Sequence, residues 1–387
     1  MGVISADSHV VEGPDVFSGL VDRFGDDAPR VLSRPGKGDH IIIPARGDAG
    51  VNVGHMALAA TRLDRATPIE RRPGHKPGVG TLHDPEIQAY LTGGYAAMRE
   101  GLTDGARRGD DQDLDGVDAE FLYPGYFSMF SFRNLELLVA YQRNYNDWLH
   151  NFCSTSNGRL YGLAALPVQN PEAALTELQR VIKLGYKGVI IPSNPPKGRH
   201  YFESDYDTLW ALAAEANVPV SVHVGCFSHI PQWVKDASSR DPIAMYGNTA
   251  AMVQETLIEF MCHGICERHP TLKFVVAEFN AGWIAYWLER VDQAWQREYG
   301  RNPQGPKPQD VGEIWRRQFY ATIEDDQAAL RTRDIIGENR LMWGSDYPHT
   351  DSTWPCSSAV LDEMFEDFPD DARRKITHDN VRELYAL

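Results

Sequence analysis

Val3-Ile4-Ser5-Ala6-Asp7-Ser8-His9 decides how the strands of this chain are counted. Val3 and Ile4 are β-branched and read as the end of a short buried strand. From residue 114 onward, apolar runs alternate with helical patterns. The runs are Val117–Tyr123, Tyr161–Pro167, Gly188–Ile191, Val218–His223, Lys273–Glu278, Phe319–Thr322 and Arg340–Ser345. With Val3–Ala6 they make eight. Continuous apolar strands between helices imply a parallel sheet covered on both faces. Eight such units predict an α/β chain folded as a closed (β/α)8 TIM barrel. The alternative, an open doubly wound sheet, lacks its Gly-x-Gly-x-x-Gly turn after any strand.

A barrel carries its chemistry at the C-terminal ends of its strands. Asp7 and His9 are two apart, so on a strand they share a face, like two arms of a metal claw. The fifth strand ends in His223, the sixth in Glu278 and the eighth in Asp346. Each is a polar residue closing an apolar run, where a buried charge is costly unless paired or metal-bound. Asp7, His9, His223, Glu278 and Asp346 are therefore the candidate metal ligands. His349, three residues beyond Asp346, is placed to contact substrate or hold Asp346. Cys226 and His229 follow the fifth strand and read as loop residues. Tyr123, Tyr126 and Phe127 read as core or as an apolar wall. Asp351-Ser352-Thr353 reads as the N-cap region of a helix starting near Pro355.

Residues 10–113 interrupt this regularity, leaving residues 114–387 as the main part of one barrel domain. Gly/Pro clusters recur at Arg34-Pro35-Gly36-Lys37-Gly38, Arg72-Pro73-Gly74 and Lys76-Pro77-Gly78. One β-like run, His40–Pro44, and one helical pattern, Asp84–Glu100, stand out. So long an irregular stretch predicts a functional insert or lid after the first strand.

The totals narrow the function. The 387 residues are 42% hydrophobic and 24% charged, with a net charge of −16. That suits a globular chain acting on a small molecule and disfavours nucleic acid or an anionic membrane. No apolar stretch is long enough to span a bilayer. Five cysteines are few and odd in number, which predicts a reducing cytoplasm rather than a disulfide framework. Cys262, His263 and Cys266 lie in an apolar helical run and read as core. The expected assembly is a homo-oligomer, dimer or tetramer.

Asp7-Ser8-His9, the strand ending at His223, Ala277-Glu278-Phe279-Asn280-Ala281-Gly282-Trp283 with Leu288-Glu289-Arg290, and Trp343-Gly344-Ser345-Asp346-Tyr347-Pro348-His349 together resemble the amidohydrolase superfamily. The resemblance is to the branch that also holds metal-dependent decarboxylases such as γ-resorcylate decarboxylase. It implies a (β/α)8 barrel with metal at its C-terminal face. The family's fifth-strand His falls on His223 and its eighth-strand Asp on Asp346. Its usual first-strand pair is His-x-His, or Glu-x-His in some decarboxylases; here Asp7 takes the first place. Its sixth-strand His is replaced by Glu278, and its fourth-strand lysine has no counterpart.

The expected reaction is hydrolysis of a small amide, cyclic amide, ester, lactone or thioester by metal-bound hydroxide, with Asp346, His223 and His349 as catalytic residues. Glu278 favours hydrolysis, because an added carboxylate repels a carboxylate substrate. The alternative is non-oxidative decarboxylation of an aromatic or enoic acid. A barrel without chemistry, serving only for binding, is the third. Three carboxylates predict two divalent ions, and the oxygen-rich set suits zinc, manganese or iron.

Overall fold

The computed structural model describes residues 2–47, 49–61, 83–303 and 307–387. Its strands, in chain order, are β1 (Ile4–His9), β2 (Arg30–Arg34), β3 (Gly38–Ile42), β4 (Val51–Asn52), β5 (Ala119–Tyr123), β6 (Leu160–Ala165), β7 (Gly188–Ile190), β8 (Val220–His223), β9 (Phe274–Ala277), β10 (Phe319–Ile323) and β11 (Leu341–Trp343). One eight-stranded sheet runs β1-β5-β6-β7-β8-β9-β10-β11. The pairs β1–β5, β5–β6, β7–β8, β8–β9 and β9–β10 are parallel. The chain is a (β/α)8 barrel, and all eight expected strands are present. Asn170 and Pro171 open the helix Pro171–Lys183 as their residue types predict, with the Asn170 side chain accepting from Ala173 N at 3.1 Å.

The chain packs as two compact units. The first comprises Met1–Tyr126, Val139–Leu163 and Trp343–His378; the second comprises Phe127–Leu138, Ala164–Met342 and Asp379–Leu387. Within the second unit, aromatic rings stack in series through the core. Phe260 lies 4.3 Å from Phe274, Phe274 5.0 Å from Phe319, and Phe319 5.3 Å from Trp315.

The insert is more ordered than its composition suggests. β2, β3 and β4 form a separate three-stranded antiparallel sheet. Pro35-Gly36 is the tip of the β2–β3 hairpin rather than part of a coil. Gly38 returns the chain at φ +76°, where a Cβ would stand 2.1 Å from the Leu91 carbonyl oxygen. The helix expected over Asp84–Glu100 is Pro85–Gly93 only, since Gly93-Gly94 breaks it and Gly94 takes φ +59°. The clusters Arg72-Pro73-Gly74 and Lys76-Pro77-Gly78 lie outside the described residues. Among the described residues, no helix is long and apolar enough to cross a membrane.

Candidate metal centre

In the first unit, β1 and the segment after β11 bring four candidates together. β1 runs on to His9, three residues beyond its expected end. Its pairing with β5 shifts register between Ser5 and Ser8. His9 Nε2 lies 3.8 Å from Asp7 Oδ1 and 3.2 Å from Asp346 Oδ1. His349 Nδ1 is 3.1 Å from that same Asp346 oxygen, and its ring stacks on His9 at 3.7 Å. Asp7, His9 and Asp346 are at most 1% exposed. His9, Asp346 and His349 each offer a ligand atom within 4.8 Å of the others.

Backbone bonds fix these residues. Asp346 N donates to Asp7 O at 2.9 Å, and His9 N donates to Tyr347 O at 2.7 Å. Buried hydroxyls add to this: Ser5 Oγ donates to Asp7 O at 2.8 Å, and Ser8 Oγ lies 3.1 Å from Ser345 Oγ. Asp346 adopts φ +56°, a left-handed conformation that a non-glycine residue holds only when its surroundings impose it. Gly344 has no room for a side chain, because a Cβ would stand 2.4 Å from Asp7 Cβ. Gly344→Ala is therefore expected to destabilise the chain by about 1–3 kcal/mol, the usual scale for overpacking, as read by chemical denaturation.

In the second unit, His223 ends β8 and Glu278 follows β9. His223 Nε2 lies 2.9 Å from Glu278 Oε2. Glu278 also takes a left-handed backbone, φ +63°, and its N–H donates to Thr322 Oγ1 at 2.8 Å. The Phe127 ring sits 5.3 Å from His223. Tyr123 and Tyr126, read as core or wall, are buried. Cys262 and Cys266 are buried, as expected of core residues, whereas His263, expected with them, is exposed and stacks its ring on Phe202 at 4.4 Å.

The donor chemistry fits a cation. His9 Nδ1 lies 3.0 Å from Pro124 O, and His223 Nδ1 lies 2.8 Å from Val224 O. A carbonyl only accepts, so each Nδ1 carries the hydrogen and each ring turns its Nε2 toward a carboxylate oxygen. Two lone pairs at that range repel unless a proton or metal ion lies between them. Fixing Nδ1 to a backbone carbonyl is also how proteins orient a metal-binding imidazole. Burial alone would raise the Asp346 pKa. The imidazoles of His349 and His9 outweigh it and hold this carboxyl well below the usual carboxylate range.

One expected cap is replaced. The helix is Ser357–Met364, and Asp115 Oδ1 accepts from Ser357 N at 2.8 Å. Ser352 is instead buried, with its hydroxyl donating to Ser345 O at 2.7 Å.

Glu12 is a further buried acid that the motifs do not announce, although an acid directly after Val10-Val11 is a signal of the same kind as the strand ends. Its carboxylate accepts from Gly125 N and Tyr126 N, each at 3.0 Å. Burial raises its pKa from 4.5 to about 7, against those N–H groups and His9, which lower it. Between these values the folded chain keeps a proton that the unfolded chain has released. Stability should then fall by about 3 kcal/mol as pH rises through that window, and not below it. Denaturation midpoints at pH 5 and pH 7 should show the fall in the parent and lose most of it in Glu12→Gln.

A family model described as amidohydrolase matches residues 96–387. Among curated relatives, decarboxylase orsB of Emericella nidulans is 27% identical over 206 residues, 49% of this chain and 59% of the relative. The chain thus spans less than two thirds of that relative's length. γ-Resorcylate decarboxylase of Polaromonas sp. JS666 is 26% identical over 267 residues, 63% of this chain and 76% of the relative. Among solved structures, an amidohydrolase of Mycobacterium avium subsp. paratuberculosis K-10 superposes with a TM-score of 0.76 at 21% identity, covering 100% of this chain and 98% of the other. Dihydroxybenzoic acid decarboxylase from Polaromonas sp. JS666, crystallised with manganese and 2-nitroresorcinol, gives 0.63 at 20% identity, covering 78% and 89%.

These relatives overturn the expected hydrolysis of an amide, cyclic amide, ester, lactone or thioester, since the two curated relatives named above are decarboxylases. The physical argument for hydrolysis treated Glu278 as an uncompensated charge. With His223 Nε2 at 2.9 Å, that carboxylate faces an imidazole to which a shared proton or metal ion would tie it.

Proposed function

The chain belongs to the amidohydrolase family, and from that premise we propose that it is a metal-dependent, non-oxidative decarboxylase of an aromatic acid with a hydroxyl beside the carboxylate. The match to γ-resorcylate decarboxylase over 76% of that relative carries the reading. Within the first unit Asp7, His9 and Asp346 would hold a divalent ion; within the second, His223 and Glu278 are candidate ligands as a pair of their own. A divalent ion held there would supply Lewis-acid stabilisation of negative charge developing on the substrate.

The chain's own residues manage a proton. The ring carbon bearing the carboxylate must be protonated; the bond to the carboxylate then breaks, carbon dioxide leaves, and the electron pair returns to the ring. Asp346 and His349, 3.1 Å apart, form a couple that can hold a proton and deliver it to that carbon. His223 and Glu278 form a second such couple. Burial of Asp346 keeps water from competing for the proton. The insert reaches the same segment, with Ala59 N donating to Pro348 O at 3.1 Å, so it is proposed to shape the substrate pocket.

Asp7 and Asp346 together balance one divalent ion, which favours one ion per chain over the two expected from counting Glu278 as a third unpaired charge. Manganese suits the oxygen-rich set, with zinc and iron as alternatives. The test is release of carbon dioxide from a panel of 2-hydroxy- and 2,6-dihydroxybenzoates by manganese-loaded protein, with metals counted per chain. A metal-loaded protein that cleaves esters or lactones but releases no carbon dioxide from any panel member would defeat the proposal. Light scattering checks the expected dimer or tetramer.

A further inference from the structure

Arg108 opens the helix Arg108–Asp115 at the end of the insert, and it is completely buried. A buried guanidinium is expensive unless its charge and its donors are met. Glu120 on β5 meets the charge in a forked pair, Nε to Oε2 at 2.8 Å and Nη2 to Oε1 at 3.0 Å. That pair alone would pin the helix to the strand, and a buried ion pair used only for pinning is replaceable by apolar packing.

The remaining contacts are more specific. Nη2 also donates to His9 O at 3.1 Å and to Tyr347 O at 3.3 Å. The first carbonyl belongs to a candidate ligand, and the second to the residue directly after another, Asp346. Tyr347 O already accepts from His9 N at 2.7 Å, so one guanidinium closes a small ring of bonds across the two ligand-bearing segments. The guanidinium carbon lies 4.4 Å from the centre of the Tyr347 ring, whose hydroxyl donates to Asp111 Oδ2 at 2.7 Å. Asp111 in turn accepts from Arg99 Nε at 2.7 Å. Gln112 Nε2 supports Glu120 Oε2 at 3.0 Å. Every one of these residues lies in the first unit.

We infer that Arg108 is a positioning residue for the metal centre, setting the spacing of His9 and Asp346 through their backbones. The inference rests on the reading that Asp7, His9 and Asp346 hold a divalent ion. A lysine cannot reproduce it, because a single ammonium lacks the fixed planar fork that meets both carboxylate oxygens and still donates to the carbonyls. Groups that orient metal ligands typically change metal affinity by about 10–100-fold.

The test uses the full chain loaded with Co2+, whose visible absorption reports ligand geometry. Arg108→Met, Arg108→Lys and Glu120→Gln are compared with the parent and with Ile314→Val, a core change in the second unit. Arg108→Met should weaken Co2+ binding by about 10–100-fold and alter the absorption band, with Arg108→Lys between it and the parent. Ile314→Val should lower the unfolding temperature with neither effect. If Arg108→Met does not fold, the same two readouts on Arg108→Lys and Glu120→Gln decide. Parent-like affinity and absorption in the folded variants, however far their stability falls, would overturn the inference alone. A parent that binds no Co2+ would overturn the metal centre, and the inference with it.

Discussion

Replacing Asp346 with asparagine is expected to lower turnover by at least roughly a hundredfold, the lower scale for a positioned proton carrier, while the chain still folds. Asparagine keeps the size of the side chain and tolerates the left-handed backbone at this position, φ +56°. The change therefore removes the charge without adding backbone strain. It removes the acid that faces both His9 and His349, and it takes one anionic ligand from the proposed centre. Turnover of a hydroxybenzoate and thermal unfolding are measured on the same preparation, reloaded with manganese. Turnover near the parent's would take Asp346 out of the mechanism.

Stripping the metal should have an effect of similar size, reversed by adding manganese. Asp7 and Asp346 are both buried, each with an oxygen near the same His9 Nε2. Without a cation between them, their mutual repulsion must be relieved by taking up protons or by local opening. Stability should fall with activity. An ion at about 100 times its dissociation constant contributes about 2.7 kcal/mol, which corresponds to several degrees of unfolding temperature. The comparison is between chelator-dialysed and reloaded protein, each with its metal content measured. Full turnover in protein shown to be metal-free would exclude a metal-dependent reaction.

The strand ends were legible because an apolar run that stops at Asp7, His9, His223, Glu278 or Asp346 breaks a simple pattern. The barrel was legible for the same reason, through its buried parallel strands. Arg108 was not legible. It sits in Arg107-Arg108-Gly109-Asp110-Asp111, a charged run of the kind that usually faces solvent. Only tertiary packing turns that one side chain inward, toward Glu120 on β5. β2 was missed because Arg30-Val31-Leu32-Ser33-Arg34 is mostly half-exposed and lacks a full apolar face. The reaction was misread because charge counting along a sequence cannot show that His223 stands 2.9 Å from Glu278.

The left-handed backbone at Glu278 has a consequence for anyone seeking a hardier form of this protein. At φ +63° glycine or asparagine is more comfortable than glutamate. Glu278→Gly or Glu278→Asn should relieve the chain there and raise its melting temperature. A library screened only for heat resistance would then enrich those replacements and discard a carboxylate the reaction is proposed to use. Robustness and chemistry compete at this residue, so any such screen must read turnover alongside survival.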